Sequence, residues 1–156
     1  MIIPPRIAQG FRSVPKELVD LCRPERWEQL TTPVRHGMRP IRDILVHMMG
    51  TEAFWLRHVA RAEPFTRPDP ASFADLDTIL AAWTPQREAT MSWLAGLAPA
   101  ELVSRREWKV LEATQIASLE EIIWHVVTHE QYHRGQIFTR LSLLGRRDLP
   151  DYDLIH

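Results

Sequence analysis

The sequence has a single cysteine, Cys22, so no disulfide can form within the chain. Glycine is scarce, with 6 residues among 156, and alternating β-branched runs are rare, so a large sheet is not expected. Charged residues interrupt every apolar stretch well before about 18 residues, which argues against a transmembrane helix. The formal net charge of −1 lacks the basic excess typical of nucleic-acid-binding proteins and gives no reason to expect attraction to an anionic membrane.

The residues that are present fit one globular domain, which we expect to span residues 1–156. Hydrophobic residues make up 45% of the chain and charged residues 25%, an ordinary globular balance. The first apolar residues are interrupted by Pro4 and Pro5 and have no basic leader, unlike a secretory signal. We therefore expect a cytoplasmic protein.

Four long amphipathic segments predict an all-α fold. They cover residues 7–22, 40–60, 72–97 and 118–145. Pro15 and Pro85 fall inside the first and third segments, where a proline is expected to kink a helix, delay its start or divide it in two. Residues 100–117 fit either a short hairpin or an irregular crossing, and the sequence leaves both open.

Short sequence signals mark the ends of two of these segments. Ser72, followed three residues later by Asp75, suits the N-terminal cap of the third helix. Ser118 and Glu121 form a capping box, in which each side chain accepts a hydrogen bond from the backbone N–H of the other residue. Gly145 suits the C-terminal end of the fourth helix.

Three histidines repeat at four-residue spacing in the last segment. His125, His129 and His133 stack along one side of a helix, with neighbouring rings about 6 Å apart. The whole span is about 12 Å, whereas a zinc–nitrogen bond is about 2.0–2.1 Å, so a straight helix can offer only two of them to one ion. His129 and His133 lie within about 60° of the apolar stripe and His125 about 100° from its centre, which favours the first pair.

A third imidazole must then come from a facing helix. His47 is the leading candidate because it lies at the edge of the apolar stripe of segment 40–60. His58 is on the same edge but about 16 Å further along, and His36 and His156 fall outside the helical core. Three neutral imidazoles suit zinc, nickel, iron or cobalt, and they predict that metal affinity falls below about pH 6.5.

Two stretches and the tail resemble the DinB/YfiT-like family of small four-helix proteins. The stretches are PIRDILVHMMGTEAFW (40–55) and LEEIIWHVVTHEQYHRGQIFTRLSLLG (119–145), and the tail is DLPDYDLI. The resemblance places the family's metal triad on His47, His129 and His133. It implies an up-down-down-up four-helix bundle, a homodimer and a divalent metal ion with open coordination positions.

The resemblance also implies a reaction. Family members with known activity are similar to metal-dependent S-transferases and isomerases that use low-molecular-weight thiols such as bacillithiol, mycothiol or glutathione. We therefore expect zinc, nickel or iron to activate a thiol for attack on an electrophilic small-molecule substrate, with a hydrolase as a related outcome. The alternative is a non-catalytic stress-response or interaction protein whose ion ties helices together. A fourth protein ligand, such as Glu52 or His125, would indicate that alternative, and an open position the enzyme.

We expect specific roles for two charged residues close to the histidines in sequence. Arg134 is the candidate cofactor-binding residue, through a carboxylate of the thiol. Its other expected role is an ion pair with Asp148 or Asp151 that ties down the tail. Glu130 is expected to point away from His129, because neighbouring residues on a helix are separated by about 100°.

We also expect structural roles for several uncharged residues. Phe54 and Trp55 are expected as core aromatics or as walls of a pocket. Gln136 is expected to bind backbone near the chain ends, and Gly135 to allow close packing against another helix. Cys22 is expected to be a buried, inert thiol.

Overall fold

The computed structural model describes residues 5–150 of the chain. In chain order its elements are α1 (Pro5–Cys22), α2 (Trp27–Thr31), α3 (Ile41–Glu52), a π-helix (Ala53–Val59), a 3-10 turn (Pro70–Ser72), α4 (Leu76–Gly96), α5 (Pro99–Leu102), β1 (Arg105–Val110), β2 (Ala113–Ser118) and α6 (Leu119–Leu143). None of the described helices combines the length and the apolar character needed to cross a membrane.

Four long helical units form the expected up-down-down-up bundle: α1, α3 with the π-helix, α4 and α6. Helix α1 packs along α4, and α3 packs along α6. The π-helix continues α3 directly, and the N–H of Ala60 donates to the carbonyl of Trp55, five residues back, as in π-helical backbone. The helix expected at 40–60 is therefore continuous, but it changes from α-helical to π-helical hydrogen bonding after Glu52.

The stretch between α5 and α6 is a hairpin, one of the two alternatives that the sequence left open. Strands β1 and β2 pair antiparallel with Arg105 opposite Ser118, and two residues form the turn. The Nε of Arg106 donates to the carbonyl of Ala60 over 2.8 Å, which fastens the hairpin to the end of the π-helix. This small ribbon is the one addition to the all-α bundle within residues 5–150.

The buried apolar side chains form two clusters, one toward each end of the bundle. The first includes Leu18, Ile44, Leu45, Trp83 and Leu141, and the second includes Leu56, Met91, Ile122 and Val126. Three helical rods each contribute one of the most deeply buried charged residues of the described chain: Glu52, Arg87 and Glu130 are 0%, 1% and 2% exposed. We call these three residues the ionic layer.

Both prolines lie inside continuous helices, so the expected delay or division is wrong. Pro15 has no N–H for the carbonyl of Phe11, one turn earlier, but a guanidinium N–H of Arg87 donates to that carbonyl instead. Pro85 and Ala81, the residue that loses its partner, both lie on the exposed side of α4, where water can bind the freed carbonyl. Tertiary packing and solvent therefore replace the two missing hydrogen bonds.

The helix ends agree with the sequence in α6 and differ in α4. In α6 the capping box is formed, with the N–H of Glu121 donating to Ser118 Oγ over 3.2 Å. Gly145 has φ of 103° just beyond the helix, as expected for a C-terminal glycine. Helix α4 is capped by Asp75, which accepts from the N–H of Thr78 over 2.7 Å. The expected cap, Ser72, is wrong because it ends the preceding 3-10 turn.

Cys22 is fully buried in the first apolar cluster, and burial raises the pKa of its thiol to about 12. Since the thiolate is the reactive form, we expect no reaction of the native protein with Ellman's reagent at neutral pH and one equivalent of reaction after unfolding in guanidinium chloride. Absorbance of the released chromophore measures both. Reaction of the native protein at the rate of a free thiol would contradict this burial.

Candidate metal centre

Three imidazoles meet where α3 packs against α6. His47 lies on α3, and His129 and His133 lie one turn apart on α6. The Nε2 atom of His129 is 3.2 Å from Nε2 of His47 and 3.0 Å from Nε2 of His133. One nitrogen from each ring lies within 4.8 Å of the other two. The structure thus brings together the trio that the sequence selected, and their role as metal ligands stays a prediction.

Two of the three separations between these nitrogens fit a common ion. Ligands about 2.0–2.1 Å from one zinc ion are separated from each other by about 2.9–3.4 Å for octahedral to tetrahedral angles. The separations of His129 from His47 and from His133 fall in that range, and the nitrogens of His47 and His133 lie within 4.8 Å of each other. Burial, and then the charge of His133, lower the pKa of His47 and His129 to about 4, so both rings are neutral at neutral pH. Neutral imidazole is the form that binds metals.

These lowered pKa values change the expected acid sensitivity of metal binding. Protons compete with the ion only below the pKa of the metal-free imidazole, and burial also lowers the pKa of His133. We therefore expect Zn²⁺ affinity to begin falling at a lower pH than three ordinary histidines would give, and to fall most steeply near about pH 4 to 5, where His47 and His129 become protonated. Competition with a chromophoric chelator measures this. A tenfold loss already between about pH 7 and 6 would show ordinary imidazoles.

One ring of the trio is oriented by a neighbouring amide. Nδ1 of His133 donates to Oε1 of Gln136 over 2.9 Å, which leaves the lone pair on Nε2, the atom facing the other rings. The expected backbone role of Gln136 near the chain ends is therefore replaced by a contact to a candidate ligand. Its position one turn after His133 on the same helix is the signal that predicts this contact.

Removal of this amide tests the arrangement. We expect Gln136→Leu to lower Zn²⁺ affinity about 10- to 100-fold, because the ring of His133 loses the partner that fixes its tautomer and orientation. The control is Gln131→Leu on the same helix, which should bind like the unsubstituted protein. Chelator competition at neutral pH gives both constants, and equal affinity of the two variants would remove Gln136 from the site.

The other histidines are outside the trio, although the ring centroid of His125 lies 5.9 Å from that of His129. The ring of His125 is exposed and packs edge-on against Trp55, with ring centroids 4.8 Å apart. His58 donates from Nδ1 to the carbonyl of Glu63 over 2.8 Å, and His36 is exposed in the loop before α3. His156 lies outside the described residues.

Two of the acidic residues on α3 and α6, Glu52 and Glu130, belong to the ionic layer. Glu52 accepts from Trp83 Nε1 over 2.7 Å, from Thr90 over 2.8 Å and from Arg87 over 2.9 Å, so both of its oxygens are bound. Glu130 also pairs with Arg87, and burial raises the pKa of Glu130 to about 7. The expected direction of Glu130, away from the trio, agrees with this. Glu52 is unavailable as a fourth ligand.

Arg134 is buried against α1. It is 7% exposed, and its guanidinium lies 3.7 Å from the carboxylate of Glu17. Asp148, one of its two expected partners, instead accepts from Arg146 over 2.6 Å, and Asp151 lies outside the described residues. Its role in binding a cosubstrate stays a prediction.

An open cavity of about 460 Å³ adjoins the trio, with His47 and His129 in its wall. Phe54, Trp55 and Phe65 form an aromatic side of this cavity, with ring centroids of Phe54 5.1 Å from Trp55 and 5.4 Å from Phe65. This volume is in the range of small-molecule sites. Both alternatives for Phe54 and Trp55 hold, because these side chains line the cavity and also pack on the second apolar cluster.

A glycine allows the loop that closes one side of the cavity to approach α3. A Cβ atom on Gly50 would lie 3.0 Å from the ring of Pro68, so a side chain there would push the loop away. Gly135 has no such role: it is exposed, and a Cβ atom there would meet nothing within 4 Å. The expectation of close packing at Gly135 is therefore wrong.

Known structures share this fold. YfiT from Bacillus subtilis, described as a probable metal-dependent hydrolase with an unusual four-helix bundle topology, is 20% identical, with a TM-score of 0.68 over 89% of this chain and 86% of that one. A DinB-like protein of the same organism, YjoA, is 18% identical, with a TM-score of 0.70 over 94% and 96%. No curated protein sequence matches the chain. The model of the DinB family matches residues 6–156, and the chain therefore belongs to the DinB family.

Proposed function

We propose that this protein is a metal-dependent enzyme that holds a divalent ion on His47, His129 and His133 and uses it to activate a low-molecular-weight thiol. The observation that carries the proposal is the meeting of three imidazole nitrogens, within 4.8 Å of one another, at the wall of an open cavity. Three protein ligands with a free position are typical of reactive metal sites, whereas structural zinc sites have four. Within residues 5–150 the trio gathers no fourth His, Cys, Asp or Glu ligand.

A divalent ion bound there would lower the pKa of a bound thiol or water and supply a nucleophile at neutral pH. The residues of the chain provide the setting. Gln136 holds the ring of His133 with its Nε2 lone pair toward the centre. Phe54 and Trp55 hold the apolar part of the substrate and keep water from it. The thiol sulfur bonds to the electrophilic carbon as the leaving group departs with its electron pair, and the thiol proton goes to solvent.

A hydrolase is the second candidate, and the description of Bacillus subtilis YfiT as a probable metal-dependent hydrolase favours it. In that case water replaces the thiol and the same residues serve. The non-catalytic alternative receives less support, because Glu52 is bound within the ionic layer and His125 packs against Trp55. A homodimer and a cytoplasmic location remain predictions from the sequence.

The test begins with elemental analysis of untagged protein, followed by assays of the zinc-, nickel- and iron-loaded forms. Bacillithiol, mycothiol and glutathione are offered with 1-chloro-2,4-dinitrobenzene, and 4-nitrophenyl acetate is offered without thiol. We expect metal-dependent thioether formation that disappears in His47→Ala. Ester hydrolysis without any thiol transfer would favour the hydrolase. A stoichiometric metal with neither activity would support the non-catalytic alternative and overturn the proposal.

A further inference from the structure

The cavity beside the trio carries two arginines that have no acidic partner within residues 5–150. Arg39, in the loop before α3, and Arg67, in the loop after the π-helix, both line the cavity and are exposed. Neither guanidinium has a carboxylate within 4 Å in the described part of the chain. The one acidic residue in the wall, Asp43, is bound by Arg42 at 2.8 Å. The wall therefore has an uncompensated positive charge.

The aromatic side of the cavity is apolar. Phe54, Trp55 and Phe65 are half-buried, and their rings meet edge-on with centroids 5.1 and 5.4 Å apart. Such rings present apolar faces suited to a planar group, and a guanidinium binds a carboxylate with two parallel hydrogen bonds. One cavity thus offers a flat apolar surface and two anion-binding groups at once.

We propose that this cavity takes an organic anion, whose planar apolar body packs on Phe54, Trp55 and Phe65 and whose carboxylate is bound by Arg39 and Arg67. The inference rests on the proposed function, because it assigns this chemistry to the electrophilic substrate of the same site. The apolar wall favours the electrophile over a polar thiol as the occupant. Arg39 and Arg67 are then specificity-determining residues that favour binding of anionic over neutral substrates.

The experiment compares two probes of equal shape, 2-naphthoate and its neutral amide 2-naphthamide, by isothermal titration calorimetry on metal-free and zinc-loaded protein. We expect naphthoate to bind at least about tenfold more tightly in both forms, because charge-assisted hydrogen bonds are about twice as strong as neutral ones. Arg39→Ala and Arg67→Ala should each weaken naphthoate binding roughly three- to tenfold and leave naphthamide unchanged. Arg35→Ala, an exposed arginine of the same loop outside the cavity wall, is the matched control for charge.

Equal dissociation constants for the two probes, or an unchanged preference in the double variant Arg39→Ala/Arg67→Ala, would overturn the inference. A preference for naphthoate that appears only in zinc-loaded protein and persists in the double variant would show that the carboxylate binds zinc. That result would also overturn the inference. The two proposals fail separately. Zinc stoichiometry tests the trio without any probe, and the metal-free titrations test the arginines without any metal.

Discussion

Replacement of His47 by Ala is expected to abolish stoichiometric metal binding and to leave the bundle folded. The substitution removes the one candidate ligand on α3, and the two that remain on α6 are one turn apart. His47 is half-buried at the cavity wall, outside both apolar clusters, so its loss leaves the core intact. We expect Zn²⁺ affinity to fall by more than about a hundredfold, beyond the range for a residue that only orients a ligand.

The matched control is His125→Ala. His125 belongs to the same four-residue series on α6, but its ring packs against Trp55 and it is not part of the trio. That variant should retain one equivalent of metal. Elemental analysis after gel filtration gives the stoichiometry, and circular dichroism verifies helix content. Full occupancy in His47→Ala would remove this residue from the site, and loss of metal in His125→Ala would place the centre elsewhere on α6.

Arg87→Met is expected to lower the free energy of unfolding by about 3–5 kcal/mol at neutral pH. Arg87 is 1% exposed and pairs with the buried carboxylates of Glu52 and Glu130, which the substitution leaves without a counter-charge. It also removes the donor to the Phe11 carbonyl that Pro15 leaves free. Guanidinium chloride titration followed by circular dichroism measures the change.

The control for Arg87 is Arg12→Met, which breaks an exposed ion pair with Glu88 and should lower the free energy of unfolding by less than about 1 kcal/mol.

The pH dependence of the stability loss in Arg87→Met is a second test. A buried carboxylate with a raised pKa binds its proton more tightly when folded, so stability increases as the pH falls from the folded pKa toward the unfolded one. Removal of Arg87, whose charge lowers the pKa of Glu130, raises that pKa above its value of about 7. The loss in Arg87→Met should therefore shrink as the pH falls toward about 7 and change little below it. A loss below about 1 kcal/mol would contradict the buried pairing.

Local patterns predicted the parts of the molecule that depend on one helix at a time. The capping box of Ser118 and Glu121 fixed the start of α6, because both partners lie within one turn. The four-residue spacing and the position of the apolar stripe selected His129 and His133 over His125 for the same reason. His47 was found because its own stripe faces the bundle, although the distance across to α6 came only from the structure.

Features that join distant parts of the chain could not be predicted from such patterns. Glu52 was considered as a possible fourth ligand, and nothing in the sequence pairs it with Arg87, 35 residues away. The same arginine explains why Pro15 leaves α1 continuous, since it supplies a donor from another helix. Gly50 and Gly135 look equivalent in sequence, and only the approach of Pro68 distinguishes them.

The π-helical segment has a consequence for how the cavity can change. It packs more residues into each turn than the α-helix before it, so deletion of one residue from Ala53–Val59 would restore ordinary helical winding. Phe54 and Trp55 lie inside this segment, so the same deletion would change the directions of their rings relative to the cavity. His47 precedes the segment and would keep its place. A change of one residue in the length of this segment would therefore alter which molecules fit the cavity and leave the three imidazoles in place.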